Sequence, residues 1–417
     1  MSAAREREGR ALLALLALAL LLRGVWAALV PFDPVSDSNA YHVFARNLAE
    51  HGVFGWNPAQ PDAYWPPGAP FLYSLAYRAL GAGGAAVITL NLALSAAKLV
   101  LAFALTNAWF GRRAALAAGL LLACWPAQIE LTTTLSSEHA FDVALLLALW
   151  IFERSGRELS VPASIAIGAA LAAASYVRPT ALPLAFGLAV IAFARGTPFG
   201  RALRLALSAS AVIALLIAPW SLRNERVFGR FVAISANGGA NLWMGNNPNA
   251  HGGYMALPRE VRGMTTAERD AYLGAEARRW IRDHPGAALV LAARKLARTY
   301  QRETIGVAWN ARALAPLGEG GVFALKAVST TYWWLALAAG LAGAVLRLRA
   351  RGWLACFADA PLALWGYFAL VHAVTVAQDR YHLPSVPYIA ALAGYAFAEL
   401  ATRFGVSARA SSAPTRR

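Results

Sequence analysis

The chain has 417 residues, of which 58% are hydrophobic and only 14% are charged. Soluble domains have roughly 45–50% apolar and 25% charged residues, so this composition excludes a soluble globular enzyme. Lysine and arginine number 38 against 22 acidic residues, which gives a formal charge of +16. Many of these cations lie in short gaps between apolar segments rather than on one soluble face, which argues against nucleic acid as a partner.

Recurring apolar segments predict an all-α polytopic membrane protein, because each one approaches the roughly 20 residues that cross a bilayer core. Arginines cluster in alternate loops, and with ten spans every cluster lies on the same side as the N-terminus, which the positive-inside rule makes cytoplasmic. The first segment has one alternative interpretation, a cleaved signal peptide. The predicted spans are 11–32, 85–109, 114–128, 137–152, 161–177, 180–195, 202–221, 322–346, 354–377 and 384–402.

This threading divides the chain into four parts. Residues 1–221 form an N-terminal transmembrane module whose first outer loop is 33–84. Residues 222–321 form a large outer loop, residues 322–402 form the C-terminal membrane helices, and residues 403–417 form a basic cytoplasmic tail. Because both long loops lie on the outer side, we expect the chemistry on that side.

Helical spacing of apolar residues predicts two short helices in the first outer loop, 38–51 and 71–80. We place the second helix in the membrane interface rather than across the bilayer. In the large loop, the Asn- and Gly-rich residues 237–253 lack periodicity and are predicted to be irregular.

Two amphipathic helices follow in the large loop. Thr265 and Glu268 have capping-box spacing ahead of a predicted helix to Asp283. A second helix is predicted from His284 toward Arg302, with leucines opposite Arg294, Lys295 and Arg298, so we expect it on the membrane surface.

Asp37 is the first candidate for a chemical role. It follows the first predicted span, at the mouth of the bundle, where a partly desolvated carboxylate can act as a general base. Its position ahead of a helical pattern also fits a helix N-cap, and spacing alone favours that alternative.

Three arginines, Arg178, Arg223 and Arg380, are predicted to emerge at span ends on the same outer face. Together they suit an anionic group, which they would hold by charge-assisted hydrogen bonds. Taken singly, each arginine fits better a side chain that extends from a span end to the interface. No metal site is predicted by spacing, and Cys124 and Cys356 are too few for a disulfide framework or a zinc cluster.

The sequence resembles the GT-C integral-membrane glycosyltransferases, specifically glycosyltransferase family 39 and the dolichyl-phosphate-mannose-protein mannosyltransferase-like bacterial proteins, which are related to the lipid A aminoarabinose transferases. The likeness runs from about residue 11 to 402. Six segments carry it: SDSNAYHVFARNLAEHG (36–52), YWPPGAPFL (64–72), SSEHAF (136–141), YVRP (176–179), PWSLRN (219–224) and DRYHLPSVP (379–387).

The resemblance implies an inverting hexosyl- or pentosyltransferase that moves a sugar from a polyprenyl-phosphate donor to a protein, lipid or glycan. It places Asp37 as the catalytic base, and Arg178 and Arg380, with Arg223, near the donor phosphate. Glu138 matches an acidic position at the second outer turn. Many relatives have Asp-Glu at the base, whereas here Ser38 follows Asp37, which weakens the case for a divalent cation.

Further site candidates come from the same outer segments: Tyr41, Tyr64, Tyr381, His382, Asn246 and Lys295. The expected compartment is a bacterial cytoplasmic membrane with the site facing the exterior. The alternative function is a transporter or flippase of a lipid-linked sugar, although the chain shows no internal repeat of the kind many transporters have. A non-catalytic membrane scaffold is the third possibility.

Overall fold

The computed structural model describes residues 2–403. Nearly all of the predicted basic tail, 404–417, lies outside the described residues. The N-terminal half contains ten helices: α1 (Ser2–Leu29), α2 (Ser36–His51), α3 (Gly68–Leu80), α4 (Gly84–Phe110), α5 (Arg112–Ala123), α6 (Pro126–Glu130), α7 (Glu138–Ser155), α8 (Val161–Val177), α9 (Leu184–Ala194) and α10 (Phe199–Phe228).

Eight more helices complete the described chain: α11 (Gly238–Gly245), α12 (Thr266–Asp283), α13 (Pro285–Tyr300), α14 (Ile305–Trp309), α15 (Gly318–Arg351), α16 (Ala355–Ala358), α17 (Ala360–Val374) and α18 (Val386–Arg403). One small antiparallel ribbon pairs β1 (Gly55–Asn57) with β2 (Gln60–Pro61) in the first outer loop. The predicted all-α class is therefore confirmed.

Each predicted membrane segment is helical, but 114–128 and 354–377 are each divided between two helices, and the helices differ in length. Within residues 2–403, four helices (in α1, α4, α10 and α15) are long and apolar enough to cross a bilayer, and a fifth counts if α5 and the bent segment after it form one span. Three further apolar helices are shorter, namely Val161–Val177, Pro179–Ala194 and Ala360–Val374. The chain is a multi-pass membrane protein, and the count of ten spans stays a prediction.

Close backbone approach holds the C-terminal helix inside the bundle. Helix α18 packs against both α5 and α15. A Cβ added to Gly343 of α15 would lie 2.0 Å from the carbonyl oxygen of Leu392, and one added to Gly394 would lie 2.3 Å from that of Ala114. Small residues permit this contact, which membrane helices use in place of hydrophobic burial.

We expect Gly343→Ala to destabilise the protein by about 1–3 kcal/mol, because α15 and α18 must separate to admit the methyl group. The midpoint of thermal unfolding in detergent, followed by tryptophan fluorescence, measures the loss. Gly366→Ala is the matched control, since a Cβ at this position in α17 meets no atom within 4 Å. Equal midpoints for the two variants would contradict the close-approach account.

The predicted outer helices are found, with two corrections. Helices α2 and α3 contain the two predicted segments, and α2 ends at Gly52, whose φ is +69°. The capping box of Thr265 and Glu268 is present at the start of α12. The prediction of an irregular segment at 237–253 is confirmed for 246–253 but was wrong for Gly238–Gly245, which forms α11.

Helix α11 depends on a tertiary contact that periodicity does not reveal. The Asp270 carboxylate of α12 accepts hydrogen bonds from the backbone amides of Gly239 and Ala240, at 2.6 and 3.1 Å. These bonds satisfy two of the free amides in the first turn of α11. A segment of weak helix propensity is thereby fixed by the helix it packs on.

The face assigned to α13 also needs correction. Lys295 is buried together with Leu291, whereas Leu289 is exposed, so the buried face is not simply the leucine face. Helix α13 packs against α17 and buries Lys295 between them.

Candidate active site

A cavity of about 230 Å³ lies where the C-terminal ends of α8 and α17 meet the start of α2 and the N-terminal end of α7. Helix α11, the segments that contain Tyr64 and Tyr254, and the loop between α17 and α18 complete its wall. The cavity is lined by polar, charged and aromatic side chains, chiefly Asp37, Tyr41, Tyr64, Trp65, Ser137, Arg178, Asn237, Asn241, Tyr254, His372, Gln378, Arg380 and Tyr381.

Asp37 lies in the first turn of α2 and forms an ion pair with Arg380. The N-cap of this helix is Val35, and no side-chain capping bond is present, so the N-cap alternative for Asp37 is not observed. The Asp37 side chain is 20% exposed, and only its Oδ2 is bonded to Arg380 within the described chain. One carboxylate oxygen is therefore held in place while the other has no protein partner among the described residues.

Arg380 is fixed by several contacts besides Asp37. Its Nε donates to Gln378 Oε1 at 3.0 Å, and its guanidinium carbon lies 4.9 Å from the ring centre of Trp309. Burial, the largest single influence, disfavours the charge of Arg380. The nearby Asp37 carboxylate, together with Tyr381, Glu138 and Tyr41, outweighs burial and raises the pKa of the guanidinium. The site thus contains a permanent cation directly beside Asp37.

A second ion pair, between Arg178 and Glu138, lies on the same cavity. Arg178 follows α8, and Ser137 Oγ accepts hydrogen bonds from its Nε at 3.0 Å and its Nη2 at 2.9 Å. Glu138 is 1% exposed and lies behind Arg178 rather than on the cavity wall. Glu138 and Ser137 therefore orient a guanidinium that itself faces the cavity.

Tyrosine hydroxyls supply neutral donors at the same place. Burial, assisted by the charge of Asp37, raises the pKa of Tyr41 above its ordinary value and that of Tyr64 to about 12. Both hydroxyls stay protonated at neutral pH and can donate hydrogen bonds to sugar or phosphate oxygens. Tyr381 stacks on His372 with ring centres 4.6 Å apart.

The structure places Arg223 and His382 away from the cavity wall. Arg223 Nη1 donates to the backbone oxygen of Asp62 at 3.0 Å, and its guanidinium stacks 4.8 Å above Trp220. His382 is fully buried and contacts Glu303 Oε1 through Nε2 at 2.9 Å. Arg223 thus holds the first outer loop, and His382 holds the segment after Arg380.

Asn246 and Lys295 also lie outside the wall and contact each other. Lys295 Nζ donates to Asn246 Oδ1 at 3.0 Å and to the carbonyl oxygen of Val374 at 2.9 Å. Burial lowers the pKa of Lys295 to about 8. The pair binds the C-terminal end of α17, directly before the cavity-lining Thr375.

Several wall residues were missing from the predicted set. Ser137 directly precedes the predicted Glu138, and Gln378 lies two residues before the predicted Arg380. Their closeness in sequence to predicted site residues was the one signal that could have identified them. Asn241 lies in the segment predicted to be irregular. His372 lies within an apolar segment, and nothing in the sequence pattern distinguishes it.

The carboxylates at this site do not fit a divalent cation. Asp37 and Glu138 are each paired with an arginine. Among residues 2–403, no three His, Cys, Asp or Glu side chains come together in a way that could hold a metal ion. Hard cations bind several oxygen ligands at once, and this arrangement does not offer them.

Known proteins share sequence and structural features with this chain. The family model described as dolichyl-phosphate-mannose-protein mannosyltransferase matches residues 65–222, less than half of the chain. No curated protein sequence matches the chain. The predicted resemblance is confirmed over the matched region, which includes Glu138 and Arg178.

The chain has the fold of two solved membrane proteins. The apo oligosaccharyltransferase of Archaeoglobus fulgidus aligns with 96% of this chain and 51% of its own, at 13% identity and a TM-score of 0.58. Apo ArnT from Cupriavidus metallidurans aligns with 94% of this chain and 60% of its own, at 17% identity and a TM-score of 0.57. ArnT bound to undecaprenyl phosphate aligns at a TM-score of 0.53, with 17% identity, 94% of this chain and 61% of its own. The chain therefore spans only about half to three-fifths of these proteins, and the similarity establishes the fold.

Proposed function

We propose that this GT-C-fold membrane protein is an inverting glycosyltransferase that moves a hexose or pentose from a polyprenyl-phosphate donor to an acceptor on a protein, lipid or glycan. The observation that carries the proposal is the convergence of Asp37, Arg178 and Arg380 on one cavity, although they lie far apart in sequence. The fold supports it, since ArnT of this fold has been solved with undecaprenyl phosphate.

The proposed reaction begins with an acceptor hydroxyl or amine beside Asp37. The free Asp37 oxygen takes the acceptor proton as the acceptor oxygen or nitrogen attacks the anomeric carbon from the face opposite the phosphate. The bond between that carbon and the phosphate oxygen breaks, and the electron pair leaves with polyprenyl phosphate. Attack from the opposite face inverts the anomeric configuration.

The two arginines are assigned to the leaving group. Negative charge grows on the phosphate as its bond to the sugar breaks, and fixed cations in a site shielded from water stabilise such charge strongly. Arg178 and Arg380 are already oriented by Ser137, Glu138, Gln378 and Asp37. Arg223, His382, Asn246 and Lys295 are assigned to positioning the loops, and no step is assigned to a divalent cation.

The proposed location is a bacterial cytoplasmic membrane, with the cavity facing the exterior. The arginine-rich loops lie at the opposite helix ends, which the positive-inside rule assigns to the cytoplasm. The prenyl tail of the donor stays in lipid while its phosphate reaches the cavity.

Binding of the product tests the donor assignment without knowledge of the sugar. We expect the purified protein to bind undecaprenyl phosphate at least about 10-fold more tightly than undecaprenol, since hydrogen bonds to charged groups contribute roughly 1.5–3 kcal/mol each. Arg178→Gln should remove most of that preference, as measured by native mass spectrometry. Arg46→Gln, at an exposed position of α2, is the control. Equal binding of the phosphate and the alcohol by the wild-type protein would overturn the assignment.

A further inference from the structure

A second cavity lies at the other end of the bundle. Its volume is about 470 Å³, and its wall comes from the ends of α4, α7, α9, α15 and the start of α17. Helix α7 begins beside the candidate active site at Glu138 and ends near this cavity at Ser155. Its 18 residues separate the two cavities by roughly 27 Å, at 1.5 Å per residue.

The side chains that line this second cavity carry a net positive charge. Arg157, Arg195, Arg347 and Arg351 line it, against two carboxylates, Glu153 and Asp359. Four cations and two anions leave two positive charges in excess.

The two carboxylates are each occupied by internal partners. Arg195 pairs with Glu153 through two bonds of 2.8 and 3.0 Å, and Arg347 pairs with Asp359 at 2.6 and 3.2 Å. Arg351 reaches Asp359 only at 3.4 Å and is 58% exposed. The positive charge that faces the opening is therefore contributed mainly by Arg351 and Arg157.

Arg157 completes the set from the loop after α7. Its side chain is exposed and forms no hydrogen bond or ion pair with any residue from 6 to 403. Aromatic rings of Trp109, Phe110 and Phe152 form the apolar part of the wall. The cavity thus combines the unpaired guanidinium of Arg157 and the weakly paired one of Arg351 with an aromatic surface, at the membrane face where the arginine clusters lie.

We propose that this second cavity binds the phosphate group of an anionic phospholipid through Arg157 and Arg351, with the aromatic wall contacting the glycerol and upper acyl chain. Basic pockets between membrane helices on the cytoplasmic side bind anionic head groups in this way. Guanidinium groups suit phosphate because their planar donors form paired hydrogen bonds with its oxygens. The site is separate from the candidate active site and does not depend on the proposed transferase activity.

Native mass spectrometry of the full chain tests the proposal. The protein is reconstituted into membranes that contain mixtures of phosphatidylglycerol and phosphatidylcholine. It is then released from the membrane in the mass spectrometer, and the lipid that stays bound is identified by its mass. We expect selective retention of phosphatidylglycerol by the wild-type protein. Each arginine near a membrane surface contributes about 5-fold in affinity, so Arg157→Gln should lower retention about 5-fold and the double variant with Arg351→Gln about 25-fold.

The matched control is Arg349→Gln, which lies on the same end of α15 but does not line the cavity. Wild-type retention by this control supports the cavity as the site, whereas an equal loss by the control would show diffuse surface charge and overturn the proposal. Unchanged retention in the double variant would also overturn it. Added inorganic phosphate distinguishes the source of the phosphate group. Retention of phosphatidylglycerol in excess inorganic phosphate supports the lipid head group, whereas displacement of the lipid by free phosphate would overturn the proposal.

Discussion

Replacement of Asp37 by asparagine should reduce sugar transfer by roughly 10²–10⁴-fold, the usual contribution of a general base. Asparagine keeps the size and shape of the side chain but cannot take the proton from the hydroxyl or amine that receives the sugar. Binding of undecaprenyl phosphate should be unchanged or tighter, because the variant removes a negative charge beside Arg380. The measurement is the single-turnover rate at saturating donor, together with the binding constant for the product.

Asp33→Asn is the matched control for this variant. Asp33 lies in the same outer segment but is 40% exposed and pairs with Arg312, outside the cavity. We expect wild-type transfer from it. Transfer by Asp37→Asn within a few-fold of the wild-type rate would refute Asp37 as the base.

Replacement of Arg380 by glutamine should lower transfer by about 10²–10³-fold, which is the effect of removing one preorganised electrostatic donor. The variant also leaves the Asp37 carboxylate without its ion-pair partner, so the position of the base is lost as well. In contrast to Asp37→Asn, this variant should bind undecaprenyl phosphate more weakly than the wild-type protein. Rate and product binding are measured side by side.

Arg46→Gln again serves as the control, since it removes an exposed cation of the same type near the first outer loop. A normal unfolding midpoint shows that Arg380→Gln is folded. If a folded Arg380→Gln protein bound undecaprenyl phosphate as tightly as the wild-type protein, Arg380 would not contact the donor phosphate.

The lengths of the apolar segments and the distribution of arginines were sufficient to predict the helices that build the bundle. The thickness of the bilayer sets the length of a span, and membrane orientation sets the side on which the arginines lie. The helix in the first outer loop could also be predicted, since Gly52 and the spacing of apolar residues delimit α2. Helix α11 could not be predicted, because the amides of its first turn are satisfied by Asp270 of another helix. Local periodicity carries no information about such a partner.

The candidate site was likewise predictable only in part. Asp37, Arg178 and Arg380 were selected because each emerges at the outer face, and the structure brings all three to one cavity. Arg223 satisfied the same sequence criterion, yet its guanidinium binds the backbone of Asp62. Whether an arginine at a span end faces a cavity or a loop depends on the packing of distant helices.

Buried polar residues were the least predictable part. His382 was a predicted site candidate, but it lies outside the cavity wall, against Trp333 with ring centres 3.9 Å apart, and contacts Glu303. That position results from the meeting of α13, α15 and the loop before α18. A sequence pattern within one segment cannot specify a contact among three.

The most direct test of the account is whether the purified protein cleaves the bond between sugar and phosphate. Proteoliposomes containing the protein are supplied with a panel of undecaprenyl-phosphate sugars and with acceptors extracted from membranes of a strain that lacks this gene. We predict release of undecaprenyl phosphate from at least one donor, coupled to sugar on the acceptor and strongly reduced by Asp37→Asn. Movement of an intact donor between the two leaflets, with no release from any member of the panel, would contradict the account and identify a transporter.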